Sequence, residues 1–328
     1  MLIDQVDHRT MRSAIELASH APSVHNSQPW HWTLGRHVVH LNADLHRWLP
    51  ATDADGRDLT VSCGAALHHL RVALRAAGVH TTVHRIPNRG EPDRLATLEL
   101  KPGTPGGDAD LELAAAITRR RTDRRPFSDW HIPEDTRREL EGAAAAQGAI
   151  LRLVGPGGPR AHLLRAIREA EVQQTEVPGY ETELATWTGR RAADDGVPAA
   201  NLLRRTAAGI PAARRFAEGD IDPYTADRKD GAELAVLGTA SDDPLSQLRA
   251  GEALSAVLLT ATTLGLGTCP LSQPLEIGTT RRMLRDDVLE GTLDPQVVLR
   301  LGRAPAGPSL PATPRRSFND AATVEQDR

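Results

Sequence analysis

The sequence predicts an α+β protein built from two related halves. Three observations lead there. Helical and strand-like hydrophobic spacing alternate along the 328 residues. Two long amphipathic helices, at residues 59–77 and 247–264, are each followed by a glycine suited to a helix C-cap, Gly78 and Gly265. The two helices also share a local pattern. Cys63-Gly64-Ala65-Ala66-Leu67 aligns with Ala250-Gly251-Glu252-Ala253-Leu254, and downstream Gly78-Val79 aligns with Gly265-Leu266.

The elements follow in order. Met11, Ala14, Ile15 and Ala18 fall at helical spacing, which predicts a first helix over residues 10–20 with Thr10 as N-cap and Pro22 past its end. Residues 30–34, a Gly35-Arg36 turn and residues 37–41 predict a hairpin. After the first long helix come strands near 80–86 and 95–101. The run Lys101-Pro102-Gly103-Thr104-Pro105-Gly106-Gly107-Asp108 is the clearest linker and divides the chain into halves at 1–105 and 106–328. The second half predicts a helix at 110–120, a basic turn, a helix opening at Pro133, a strand at 150–154 and a helix at 159–174. The second long helix and a strand at 295–302 complete it.

Composition narrows the class. Aromatics are only 3% of the chain, so the core rests mainly on Leu, Val, Ile and Ala. A net charge of −4 offers no reason to expect nucleic acid or an anionic membrane as partner. Cys63 and Cys269 cannot make a disulfide framework, and neither a signal peptide nor a membrane-length apolar run is evident. The expectation is a cytoplasmic protein. His68-His69 point to different sides of a helix, and no His pair joins a carboxylate at metal-site spacing, so no metal is expected.

Three stretches carry chemistry. The loop Ala21-Pro22-Ser23-Val24-His25-Asn26-Ser27-Gln28-Pro29-Trp30 packs small, polar and turn-forming residues between a helix and a strand, where side chains can hydrogen-bond a planar polar ligand. Arg119-Arg120-Arg121-Thr122-Asp123-Arg124-Arg125 is the densest charge cluster. It suits a phosphate, which guanidinium groups grip with paired N–H donors, or else it is a solvated basic face. Leu264-Gly265-Leu266-Gly267-Thr268-Cys269-Pro270 lies after a helix and not between strand and helix, so it is no dinucleotide fingerprint. It is either a plain helix cap or a place where backbone approaches a flat ligand.

Together these motifs resemble the nitroreductase family of FMN enzymes, and among them the tandem Acg-type members. The carrying segments are Ala21 to Trp30, Arg120-Arg121-Thr122-x-Arg124, Gly265 to Thr268, and Leu301-Gly302 followed by Arg315-Arg316. The resemblance covers most of the chain and implies a nitroreductase-like fold. Two departures stand out. Pro126 interrupts the run to Phe127, and the motif order is permuted relative to a single-domain member. The first half starts too late to carry an Arg turn, and the second runs Gln147-Gly148-Ala149 straight into a strand with no Pro-Ser-x-x-Asn loop.

The resemblance therefore implies an intrachain pseudo-dimer with one FMN at the interface of the halves. Arg120, Arg121, Thr122, Arg124, Arg315 and Arg316 would meet the phosphate. Pro22, Ser23, Asn26 and Gln28 would meet the ring or ribityl chain, and Gly265, Leu266, Gly267 and Thr268 the flavin edge. It further implies ping-pong hydride transfer from NADH or NADPH to a small electron acceptor such as a nitroaromatic or quinone, with no protein residue assigned as catalytic acid or base. Residues 174–229 form a long insertion holding Tyr180, Trp187, Phe216 and Tyr224. It is either a lid or a peripheral excursion. A lid would make the protein an FMN-binding or sequestration protein with little turnover.

Overall fold

The computed structural model describes residues 6–190, 193–204, 212, 214, 216, 219–221 and 230–325; Tyr224 of the insertion lies outside them. The first half contains α1 (His8–Ala18), β1 (Trp30–Leu34), β2 (Val38–Ala43), α2 (Arg57–Ala76), β3 (Val79–Arg85) and β4 (Arg94–Pro102). The second contains α3 (Asp108–Arg119), α4 (Glu134–Ala145), β5 (Ile150–Val154), α5 (Gly158–Thr175), α6 (Tyr180–Trp187), β6 (Thr188–Arg190), β7 (Val197–Pro198), β8 (Glu233–Thr239), α7 (Pro244–Thr263), β9 (Gly267–Leu271), α8 (Gln273–Glu276), α9 (Gly278–Met283), β10 (Asp294–Gly302), α10 (Phe318–Ala321) and β11 (Ala322–Val324).

The two main sheets repeat one topology. One runs β1-β2-β4-β3 and the other β5-β8-β10-β9, all antiparallel. A helix precedes each first strand, and the long helices α2 and α7 join the second strand to the third. The first sheet has one extra strand: β11, from the far end of the chain, adds parallel to β1 with Trp32 opposite Ala322.

Helices α2 and α7 pack against each other at the centre, and glycine sets how closely. A Cβ on Gly64 would stand 2.1 Å from the Leu248 carbonyl oxygen, and one on Gly251 would stand 2.0 Å from that of Val61. These contacts are reciprocal, because Gly64 aligns with Gly251 and Val61 with Leu248. One turn along, His68 Nδ1 lies 2.7 Å from Ser255 Oγ, again two aligned positions. Aligned residues that touch each other are the mark of an isologous, two-fold contact.

The cores interlock. Leu248 and Leu259 of α7, together with Ala116 and Ile117 of α3, sit in the first-half core around Trp30 and Trp32; Val61 of α2 sits in the second. The linker at 101–108 thus separates strand from helix but does not separate two cores, since α3 packs on α2. No helix among the described residues is long and apolar enough to cross a membrane.

Local predictions hold with shifted ends. Helix α1 starts earlier than the spacing suggested because Asp7 is its N-cap, accepting the backbone N–H of Thr10 at 2.9 Å. Gly78 and Gly265 take the left-handed backbone expected of helix caps, with φ of +79° and +71°. Strand β8 had no sequence signal beyond a short apolar run, and β11 is only three residues long.

Candidate cofactor site

The polar loop after α1 is held in an unusual shape. His25, Asn26 and Gln28 have φ of 49°, 55° and 53°, three of the five non-glycine left-handed residues among those described. Such backbone is costly and persists only where surroundings fix it. Ser23 Oγ accepts the Gln28 N–H at 2.9 Å, and the Val24 N–H reaches Ser62 Oγ on α2 at 3.3 Å.

The basic turn of the second half lies beside this loop. Arg120, at the end of α3, donates to the His20 carbonyl at 3.3 Å. Thr122 bridges to Thr268, and the Asp123 N–H donates to the Thr268 carbonyl at 2.8 Å. Two adjoining cavities result, sharing Pro22, Ser23, Thr122 and Arg124 in their walls. The larger is about 800 Å³ and mostly apolar, walled by residues that include Val61, Leu254, Cys269, Pro270, Leu271 and Val297. The smaller is about 460 Å³ and is rimmed by Arg120, Arg121, Arg124, Arg315, Asn26 and Asn201.

The smaller cavity carries strong uncompensated positive charge. Among the described residues, no carboxylate forms an ion pair with Arg120, Arg121, Arg124 or Arg315. Arg120 is 5% exposed, yet its Nε and Nη1 have no hydrogen-bond partner, and neither has Arg315 Nε. Burial, with Arg121 nearby, lowers Arg120 to about 10; burial and then the repulsion of Arg120 and Arg121 lower Arg315 to about 9. His20 beside them is held down to about 4, first by burial and then by Arg315 and Arg120. Buried donors without acceptors are rare, and a bound water or anion would satisfy them. Convergent guanidinium N–H groups fit a phosphate.

The predicted residues divide in two. Pro22, Ser23, Asn26, Arg120, Arg121, Thr122, Arg124 and Arg315 come together at the cavities. Asn26 serves mainly as a clamp: its amide donates to the Gly196 and Pro314 carbonyls at 2.9 and 3.0 Å, while its Oδ1 accepts Arg315 at 2.7 Å. The others stand away. Gln28 is fully buried, gives its amide to the Asp194 carbonyl and accepts the Arg316 N–H at 2.9 Å. Arg316 donates to the Gln28 and Trp30 carbonyls, each at 3.1 Å, so it fastens the tail and does not rim the phosphate-sized cavity. Gly265 to Thr268 lie behind the wall. Gly265 caps α7, Leu266 packs on the core and Gly267 abuts Phe127; Thr268 is pinned to the basic turn. The wall itself is the next four residues, Cys269 to Ser272.

The insertion supplies wall residues that sequence reasoning did not single out as ligands. Arg214 and Phe216 face the larger cavity, Val197 and Asn201 the smaller. Arg214 donates to His25 Nε2 at 3.1 Å and to Tyr180 OH at 3.2 Å, and it pairs with Glu276. Phe216 meets His25 edge-on at 6.4 Å, with the Arg124 guanidinium 5.5 Å from its ring. The scarcity of aromatics was the signal for Phe216; nothing in the sequence pointed to Arg214.

The chain was compared with known proteins. No protein-family model matches it. It is 41% identical over 318 residues to the Mycobacterium tuberculosis protein "Putative NAD(P)H nitroreductase Rv3131", covering 95% of this chain and 91% of that one. The chain belongs to the NAD(P)H nitroreductase family. A second relative from M. tuberculosis, "Putative NAD(P)H nitroreductase acg", is 36% identical over 325 residues, covering 96% and 95% of the two chains. Among solved structures, the FMN-dependent nitroreductase NfnB from Mycobacterium smegmatis, in complex with NADPH, aligns at TM-score 0.44 and 15% identity over 67% of this chain and all of its own. An FMN-bound nitroreductase from Bacteroides fragilis aligns at TM-score 0.40 and 14% identity, covering 61% and 92%.

Proposed function

We propose that this family member is an FMN-dependent NAD(P)H oxidoreductase of the nitroreductase type, binding one FMN per chain where its two halves meet. The observation that carries this reading is the arginine cluster, without an ion-pair partner among the described residues and buried at Arg120, opening into a larger apolar cavity. Arg120, Arg121, Arg124 and Arg315 would hold the phosphate, and Thr122 and Asn201 would flank it. Ser23, Pro22 and the Cys269–Ser272 segment would bound the ring.

FMN held there would supply the hydride-transfer chemistry of a ping-pong cycle between a reduced nicotinamide and a small acceptor. The chain's own residues position, desolvate and neutralise charge. Val61, Leu254, Leu271 and Val297 give the larger cavity an apolar wall. His25 is held far below its usual pKa, first by burial and then by Arg214, so it stays neutral there and accepts from Arg214.

One FMN per chain is also supported by what fills the position equivalent to the cavity in the other half. By the helix alignment, Ser62 corresponds to Arg249 and Ser272 to Arg85. There Glu252, fully buried, binds Arg71 at 2.6 Å and Arg85 at 2.6 Å, and Arg71 also reaches Gln147 at 2.9 Å. The test is the flavin absorbance and FMN stoichiometry of the purified protein, followed by anaerobic addition of NADH and NADPH. Colourless protein that takes up no added FMN would sink the reading, and two equivalents of similar affinity would sink the single-site argument.

The wall formed by Arg214 and Phe216 favours a second reading, a lidded FMN-binding or sequestration protein. Tightly bound FMN that neither nicotinamide reduces on a turnover timescale would establish it over the first; rapid bleaching would exclude it.

A further inference from the structure

The insertion of the second half reaches the polar loop of the first. Strands β1 and β2 are joined by a tight turn at 35–37, whereas their counterparts β5 and β8 are joined through residues 155–232. Just before β7 in this longer connection, Asp194-Asp195-Gly196 lies against the loop. Gly196 accepts the Asn26 amide on its carbonyl at 2.9 Å and gives its N–H to the Asn26 carbonyl at 3.3 Å. The Asp194 carbonyl accepts the Gln28 amide at 3.0 Å. Asp195 binds Arg47 at 2.5 Å, and the same guanidinium donates to the Ser27 carbonyl at 2.5 Å.

These contacts fall on the strained part of the loop. Asn26 and Gln28 both hold left-handed backbone, and both are buried, so an amide deprived of its acceptor there carries a desolvation cost. The turn that supplies the acceptors is itself specified. Gly196 has φ of +73°, and a Cβ on it would stand 2.8 Å from the Trp187 carbonyl oxygen and 2.8 Å from Arg190 Cδ. Asp195 also pairs with Arg190, and the Trp187 ring lies 5.4 Å from the Arg47 guanidinium and 5.6 Å from that of Arg190.

Asn26 carries the contact on to the arginine-rimmed cavity. Its amide nitrogen donates to the Pro314 carbonyl as well as to Gly196, and its Oδ1 accepts Arg315 at 2.7 Å. An Asn amide presents two donors on one side and an acceptor on the other. With Nδ2 fixed on two carbonyls, Oδ1 is aimed at the Arg315 guanidinium, which rims the cavity. The line Gly196–Asn26–Arg315 joins insertion, loop and tail. Pro22 and Ser23, which would bound the ring, lie outside these contacts.

Resting on the FMN reading above, we propose that Asp195 and Gly196 are positioning residues for the cofactor phosphate: their turn braces Asn26, and through Asn26 it sets Arg315 in the cavity. Neither residue lines either cavity, so each acts through the loop. The base of the insertion is then a fixed support of the phosphate site, not a cover that swings off it. A segment inserted in the half that lacks the loop completes the loop of the other half.

The test is a double-mutant cycle on the full chain, with flavin affinity measured by calorimetric titration of apoprotein. Gly196→Ala should weaken FMN binding roughly ten- to a hundredfold, the effect of one or two lost buried hydrogen bonds. In an Arg315→Met background the same substitution should lower affinity by less than about threefold, because the group it positions is gone. Riboflavin lacks the phosphate, so wild type and Gly196→Ala should bind it within about threefold of each other. Urea unfolding of each apoprotein checks that it folds. Asp195→Asn, which leaves the turn's backbone in place, carries the same cycle with a loss of about three- to tenfold and stands in if Gly196→Ala does not fold. Unchanged FMN affinity in a folded variant, a loss that persists in full beside Arg315→Met, or an equal loss for riboflavin overturns the proposal. Wild-type protein that takes up no FMN instead overturns the FMN reading, and the proposal falls with it.

Discussion

Replacing Arg120 by Met separates ligand binding from folding, because the two should move in opposite directions. The guanidinium is buried with two N–H-bearing nitrogens, Nε and Nη1, that nothing among the described residues satisfies, and Nη2 makes a 3.3 Å contact to the His20 carbonyl. A charge-assisted hydrogen bond contributes about 1.5–3 kcal/mol. Losing two to a phosphate should therefore weaken FMN binding by about 3–6 kcal/mol, roughly two to four orders of magnitude in Kd. Without FMN the same residue is a burden. Its pKa falls from 12.5 to about 10, so the charged form is disfavoured in the folded chain, by about 3 kcal/mol at neutral pH. Met keeps the length and removes the charge, and the apoprotein should become more stable by up to that amount. Calorimetric FMN titration and urea unfolding of apoprotein measure the two effects. An affinity within threefold of wild type, or an apoprotein that loses stability, would refute the account of the cluster as an anion site.

Three further perturbations probe the frame. Gly251→Ala drives a methyl group to 2.0 Å from the Val61 carbonyl at the α2–α7 crossing and should destabilise by about 3 kcal/mol, seen in thermal unfolding. Glu252→Ala leaves Arg71 and Arg85 facing a buried void without their shared anion. Denaturant titration should show a loss of about 3–5 kcal/mol, whereas an unchanged midpoint would mean the pair is not a unit. Acidification should act through His68, which burial and then Arg71 hold down to about 3 from 6.5. The unfolded chain takes up the proton first, so destabilisation begins below pH 6.5 and grows until about pH 3. At pH 5 this one histidine removes about 2 kcal/mol, and His69, lowered by burial and Arg120, adds to it. Equal losses of unfolding free energy between pH 7 and 5 in wild type and a His68→Gln variant would contradict this.

The sequence made the repeat legible because glycine cannot be replaced where helices touch. Gly64 and Gly251 kept the alignment visible while most surrounding positions drifted. The loop and the Arg turn were legible for a similar reason: left-handed backbone and convergent charge tolerate few residue types. What stayed hidden depends on contacts distant in the chain. Arg316 and Arg315 are adjacent and chemically alike, yet only Arg315 turns toward the cavity, because Gln28 and Trp30 take up Arg316. The Gly265–Thr268 stretch carries the recognisable pattern, but Cys269 to Ser272, which follow it, line the cavity.

The short parallel strand β11 has a consequence for how ligand and chain communicate. Arg315 rides on the segment between β10 and β11, anchored at one end by the second sheet and at the other by three residues zipped to β1. Occupancy of the arginine pocket and attachment of that zipper are therefore linked equilibria. Each must strengthen the other by the same free energy, so fraying at the tail would read out an anion bound by Arg315, and trimming β11 should lower its affinity without removing a single wall residue.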